Sequence, residues 1–164
     1  MPKKNITPGV LVVGLGNDFR SDDGVGLFVA RQVEKENLNN VKVIVGVSDG
    51  TSLLDSWENK DHAILIDSVN SAEYSGFLYK FDGLSDNIPE DYFLAYSSHS
   101  FSIPRTINLG KALGQLPKMI TIYGIEGKNY LPGDAINSAV KETAVKLISN
   151  IVEELKIGGE IIHA

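Results

Sequence analysis

The hydrophobic positions of this chain fall into short continuous runs that alternate with stretches of helical spacing. Gly9-Val10-Leu11-Val12-Val13-Gly14 is nearly all apolar and closed by glycines, the pattern of a strand buried on both faces. Val25, Phe28, Val29, Gln32 and Val33 then recur at helical spacing, with Glu34, Lys35 and Glu36 on the outer side, which predicts a helix. Val41 to Val47 is a second β-branched run, and Leu53, Leu54 and Trp57 mark a short helix after Gly50. Ala63-Ile64-Leu65-Ile66 reads as a third buried strand running into Asp67. Phe77-Leu78-Tyr79-Lys80-Phe81 alternates, as an edge strand does. Asp82 to Ser98 is a polar and aromatic connection of seventeen residues with little periodicity, a length at which loops are often functional. Ile103, Ile107, Leu109, Ala112 and Leu113 predict a helix with Pro104 in its first turn. Met119 to Ile125 is another strand. Val140, Ala144, Leu147, Ile148, Ile151, Val152 and Leu155 form the stripe of a last helix, which Gly158-Gly159 is expected to end.

Alternating β and α segments imply an α/β fold: a three-layer αβα sandwich whose central, mixed sheet of about five strands is mainly parallel. No repeat, low-complexity stretch or linker interrupts it, and 164 residues suit a single domain spanning 1–164. Composition narrows the chemistry. With 43% hydrophobic and 22% charged residues the chain is expected to fold around a real core. A net charge of −6 without a basic cluster argues against a nucleic-acid partner. Cysteine is absent, which removes disulfides, thiolate metal sites and a cysteine nucleophile together. Any metal must therefore meet carboxylate, imidazole, carbonyl or water. No segment approaches the ~18 apolar residues of a membrane span, so a cytoplasmic protein with no membrane partner is expected.

Ligands of such sheets collect outside the carboxyl ends of the strands, and polar residues stand there. The first strand is followed by Gly14-Leu15-Gly16-Asn17-Asp18-Phe19-Arg20-Ser21-Asp22-Asp23-Gly24-Val25-Gly26. Phe19 occupies a position where a dinucleotide fingerprint needs glycine, and the Gly-Lys-Ser/Thr of a phosphate-binding loop is missing. Asp22 and Asp23 would repel a phosphate. They suit either a cation or a helix start, with Ser21 or Asp22 capping and Asp23 complementing the dipole. Asp67 closes the third strand, and His99 lies in Tyr96-Ser97-Ser98-His99-Ser100 just before the next helix. Each of these residues has an ordinary structural reading, but one imidazole and two carboxylates at neighbouring strand ends also suit a divalent metal with mixed N/O ligation. His62, beside a strand start, and His163, in the terminal tail, suit such a site less well. Gly-x-Ser-x-Gly does not occur, and the serines around His99 are too close in sequence to form a triad alone.

The string Gly14-x-Gly16-Asn17 followed by Asp22-Asp23-Gly24-x-Gly26 resembles the opening signature of the hydrogenase maturation endopeptidases. The resemblance continues through Asp61-His62-Ala63-Ile64-Leu65-Ile66-Asp67, Ser98-His99 and Ile122-Tyr123-Gly124-Ile125-Glu126, in the same order, and ends in the helix near Ala139-Val140-Lys141-Glu142. It covers nearly the whole chain, from Val10 to Leu155. Members trim the C-terminal extension from the large-subunit precursor of nickel–iron hydrogenases once nickel is in place. The family's nickel-recognising acids match Asp23 and Asp67, and its histidine matches His99. The resemblance thus implies an aspartic-type endopeptidase, acting as a monomer, that reads Ni²⁺ held in its substrate, with Zn²⁺ or Cd²⁺ as surrogates and no organic cofactor. Two departures stand out. Val45-Gly46-Val47-Ser48 occupies the place where many members carry an acid after strand two, and Asp49 follows a few residues later. Gly127-Lys128-Asn129-Tyr130 replaces a continuation with proline.

Such a site can engage a nickel ion already held by the substrate, anchor the scissile segment and polarise its carbonyl. The attacking group is not specified by the residues. Two other readings stand beside this one: a metal-binding maturation chaperone that docks without cutting, and a peptidyl-tRNA hydrolase. Gly14-Leu15-Gly16-Asn17 resembles the start of the latter, but Asn17-Asp18-Phe19 replaces its usual Asn-Pro-Gly and the charge is wrong for tRNA.

Overall fold

A computed structural model describes residues 9–94 and 101–163, with backbone alone for residues 94 and 159–163. The first apolar run forms β1 (Val10–Gly14), which lies in register between β2 (Val41–Val45) and β3 (His62–Val69). On the far side of β3 comes β5 (Met119–Glu126), and β4 (Leu78–Asp82) pairs antiparallel at the edge. The five-stranded order is β2-β1-β3-β5-β4, parallel except for β4. The expected α/β architecture is thus the observed one. The strands are unequal in length, which leaves an overhang at the carboxyl end of the sheet. Gly14 pairs with Ile66, so Asp67, Ser68 and Val69 run past the end of β1 and find their strand pairing in β5.

Successive side chains of a strand point to opposite faces, and both faces here are covered. Leu11, Val13, Ala63, Leu65, Ile120 and Ile122 pack against α2 (Gly50–Trp57) and α4 (Ile103–Leu113) through Leu53, Leu54, Trp57, Ile103 and Ile107. Val12, Ile64, Ile66 and Ile125 face α1 (Val25–Lys35) and α5 (Ser138–His163) through Val25, Val29, Val33, Val140, Ala144, Leu147 and Ile151. Each fully buried side chain of this size adds about 1.5–3 kcal/mol, so the two cores hold the layers together. The largest, Trp57, also satisfies its indole N–H by donating to the Gln115 carbonyl at 2.7 Å.

Three boundaries differ from the sequence pattern. β2 stops at Val45, because Gly46 turns the chain away at φ 85° after donating its N–H to the Gly14 carbonyl. The connection after β4 is not featureless: Asp91–Leu94 forms a short α3, Phe93 is buried in the core, and the Tyr92 carbonyl accepts from Asn70 N–H. Residues 95–98 of that connection lie outside the described residues. The last helix continues through Gly158-Gly159 to His163, so His163 is helical and not in a tail. Glycine costs a helix about 1 kcal/mol per residue but ends it only where the chain then turns, and here it does not.

Candidate functional site

The segment leaving β1 is shaped by glycines. A Cβ on Gly14 would lie 2.3 Å from the Gly26 carbonyl oxygen, and one on Gly26 would lie 2.3 Å from that of Ile66. Helix α1 therefore rests directly on the backbones of β1 and β3, which explains Gly14 and Gly26 of the opening motif. Gly16, at φ 125°, turns the chain over the end of β3, where a Cβ would meet the Asp23 carbonyl oxygen at 1.9 Å. The Asn17 N–H donates to that same carbonyl at 3.1 Å. A 3-10 turn, Ser21–Gly24, then leads into α1.

Neither Ser21 nor Asp22 caps the helix, in contrast to the structural reading of this loop. Gly24 is the N-cap, without a side-chain bond, because the preceding turn satisfies the first donors: Val25 N–H reaches the Asp22 carbonyl. Ser21 instead donates its hydroxyl to the Ala135 carbonyl at 2.8 Å. Asp22 is fully buried, and its carboxylate accepts from the N–H groups of Lys128, Asn129 and Asn137 at 2.7–2.9 Å. These bonds fasten the segment between β5 and α5 across the entrance to α1. Of the two adjacent acids, Asp22 is structural and Asp23 faces a different neighbour.

That neighbour is the overhanging end of β3. Asp23 Oδ1 accepts from the Ser68 hydroxyl at 2.9 Å, and Asp67 Oδ1 accepts from the Ser68 N–H at 2.7 Å. Asp67 is 9% exposed. Burial pushes its carboxyl well above the ordinary carboxylate range, the Asp23 charge pushes it further, and the Ser68 N–H opposes both. Burial likewise raises the Asp23 carboxyl, tempered by the Ser68 hydroxyl and the Arg20 charge. A buried acid next to a second acid gains most from a neighbouring cation, which both supplies opposite charge and removes their mutual repulsion.

The structure thus brings together Asp23 and Asp67. His99 lies outside the described residues, and among those described no three His, Asp or Glu side chains form a metal-binding group. Asp49 serves α2, accepting from Ser52 N–H at 2.7 Å as its N-cap. His62 sits at the opposite end of β3, where its Nε2 bonds the Thr121 hydroxyl at 2.9 Å and burial lowers its pKa. Sequence reasoning passed over Ser68 and Tyr130. Tyr130 donates its hydroxyl to the Val69 carbonyl at 2.8 Å, beside the two acids, and burial keeps it protonated. The only sequence signal for it was its place in the segment that departs from the family pattern.

Glu126 closes the neighbouring turn. It is 1% exposed, and its carboxylate accepts from the N–H groups of Ser71 and Ala72 and from the Ser71 hydroxyl. The end of the last motif is therefore a loop anchor rather than a third acid of the site.

Comparison with known proteins agrees with this architecture. The family model described as HycI, hydrogenase maturation protease, matches residues 28–154. The hydrogenase 2 maturation protease of Escherichia coli is 21% identical over 153 residues, covering 92% of each chain. A putative hydrogenase maturation protease of Methanocaldococcus jannaschii is 28% identical over 156 residues, covering 93% of this chain and 95% of its own. Among solved structures, the hydrogenase maturating endopeptidase HybD from E. coli superposes with a TM-score of 0.72 at 18% identity, over 92% of this chain and 94% of its own. The [NiFe] hydrogenase maturation protease HycI from Thermococcus kodakarensis superposes at 0.70 with 20% identity, over 93% and 95%. With residues 28–154 matched by the family model, this chain belongs to the hydrogenase maturation protease family and is a peptidase.

Proposed function

We propose that this peptidase removes the C-terminal extension of a nickel–iron hydrogenase large-subunit precursor after nickel has been inserted. Asp23, Asp67 and His99 recognise the ion in the substrate. The observation that supports this reading most directly is the pairing of Asp23 and Asp67 around Ser68 at the end of β3, both with carboxyls raised by burial. Two acids packed so closely resist shared ionisation in the absence of a cation, and a divalent ion carried by the substrate relieves that repulsion. Neutral His99 ligates through one ring nitrogen, and the open positions of the ion remain with the substrate's own ligands. The ion anchors the scissile segment and polarises its carbonyl. The chemistry is aspartic-type in its donors, and these residues do not designate a nucleophile. Zn²⁺ and Cd²⁺ substitute for Ni²⁺ at oxygen and nitrogen ligands.

The purified protein is incubated with nickel-loaded precursor, metal-free precursor, casein and the isolated extension peptide. Only the loaded precursor should lose its extension, in one defined cut seen as a single mobility shift. Cleavage of the metal-free precursor at the same rate would remove the nickel gate from this reading. Tight docking on the loaded precursor without any shortening would turn it into that of a non-cleaving chaperone.

A further inference from the structure

Ser68 touches both acids of the candidate site. The Ser68 main-chain N–H donates to Asp67 Oδ1 at 2.7 Å, and the Ser68 hydroxyl donates to Asp23 Oδ1 at 2.9 Å. Asp67 precedes it on β3, whereas Asp23 arrives from the turn before α1, so Ser68 joins two elements that share no strand pairing at this level. The residue is 6% exposed, which keeps water from competing for either bond.

We infer that Ser68 is a positioning residue for this peptidase: it turns one oxygen of Asp23 and one of Asp67 toward itself and thereby fixes the direction in which the other oxygen of each is offered to the metal-bearing substrate. The inference rests on the assignment of Asp23 and Asp67 proposed above. Alternation along β3 sends Asp67 toward the α2/α4 side and Ser68 toward the α1 side, where Asp23 waits. One β-strand step thus spans the gap between the acids. A hydroxyl is also the right chemistry for the task. It orients a carboxylate while leaving the charge intact, whereas lysine or arginine there would neutralise the anion that a cation has to meet.

The support behind Ser68 is firm. The carbonyl of the next residue, Val69, accepts from Gly127 N–H at 3.0 Å and from the Tyr130 hydroxyl at 2.8 Å. The Tyr130 ring packs on Gly127, where a Cβ would lie 2.5 Å from the hydroxyl oxygen. The end of β3 is therefore clamped from the segment that Asp22 fastens, and Ser68 is held in a rigid frame rather than at a frayed strand end.

The test compares full-length parent, Ser68→Ala and Ser68→Thr, each crystallised and each assayed for trimming of nickel-loaded precursor. Ser68→Ala should fold, yet its Asp23 carboxylate should leave the orientation seen in the parent. Its kcat should fall about 10–100-fold, the usual cost of losing a partner behind a metal-recognising side chain, with KM little changed. Ser68→Thr retains the hydroxyl and should restore both the orientation and most of the turnover. If Ser68→Ala does not fold, Ser68→Thr and its isostere Ser68→Val provide the same comparison. An unmoved Asp23 carboxylate, or parental kcat, in the variant without the hydroxyl overturns the inference. A parent that leaves the loaded precursor uncut sinks the proposed function instead, and the positioning claim is then decided by the Asp23 orientation in the crystals.

Discussion

Asp67 ionises at a cost to the fold that its proposed role at the site would explain. Its carboxyl is raised by burial and then by the Asp23 charge, so the folded protein holds the proton more tightly than the unfolded chain does. Stability from this group is accordingly complete below the ordinary carboxylate range near ~3.9 and is lost as pH rises through the elevated folded value. Asp67→Asn keeps the volume and an oxygen for the Ser68 N–H but never ionises. Thermal melts at neutral pH should therefore place this variant above the parent, with the gap closing as the pH approaches ~4. Processing of the precursor should be abolished in the same variant. A variant that melts below the parent at neutral pH would mean that Asp67 anchors the strand end and that its ionised form costs the fold nothing.

At the scale of elements, the decisive join is between the turn before α1 and the segment linking β5 to α5. Asp22 makes that join with three accepted N–H bonds in a site closed to solvent. Asp22→Ala strands all three buried donors, and urea titration should record a loss of roughly 3–5 kcal/mol, at about 1 kcal/mol or more for each unsatisfied N–H. Asp18 provides the contrast. It pairs with Arg31 on the surface, with the two side chains 42% and 46% exposed. Asp18→Asn should cost no more than about 1 kcal/mol, because solvent screens the pair. Equal losses for the two substitutions would show that the segment after β5 is held by something other than Asp22.

As a whole molecule, the isolated protein should bind a divalent ion weakly and at one site. The proposed ligands Asp23, Asp67 and His99 come from separate parts of the chain, and no thiolate is available, so isothermal titration with Cd²⁺ as the probe should give a single low-affinity event. Affinity should fall as pH drops through the histidine range near ~6.5. The raised carboxyls of Asp23 and Asp67 should extend that fall into milder acid than ordinary carboxylates would, since protons and cation compete for the same oxygens. His99→Ala should abolish the event, and unchanged binding in that variant would remove His99 from the site. The described residues include no helix long and apolar enough to cross a membrane.

The order of strands and helices was legible in the sequence because hydrophobic periodicity is a local property. Val10–Gly14 and Ile64–Leu65–Ile66 are apolar on both faces and could only be buried strands, while the spacing of Val140, Ala144, Leu147 and Ile151 left one solution for α5. The candidate acids were legible as well, since Asp67 ends an apolar run and Asp23 stands in a glycine-rich turn. What each acid does was decided by residues remote in sequence. Asp22 and Asp23 are adjacent and chemically identical, yet one meets the N–H groups of Lys128, Asn129 and Asn137 and the other meets Ser68. Their carboxyls leave the turn toward different neighbours, and no local pattern encodes which neighbour packing will supply. The bracket of Ser68, Val69 and Tyr130 was invisible for the same reason: a serine in a strand and a tyrosine in a loop gain their meaning only when β5 places the two segments side by side.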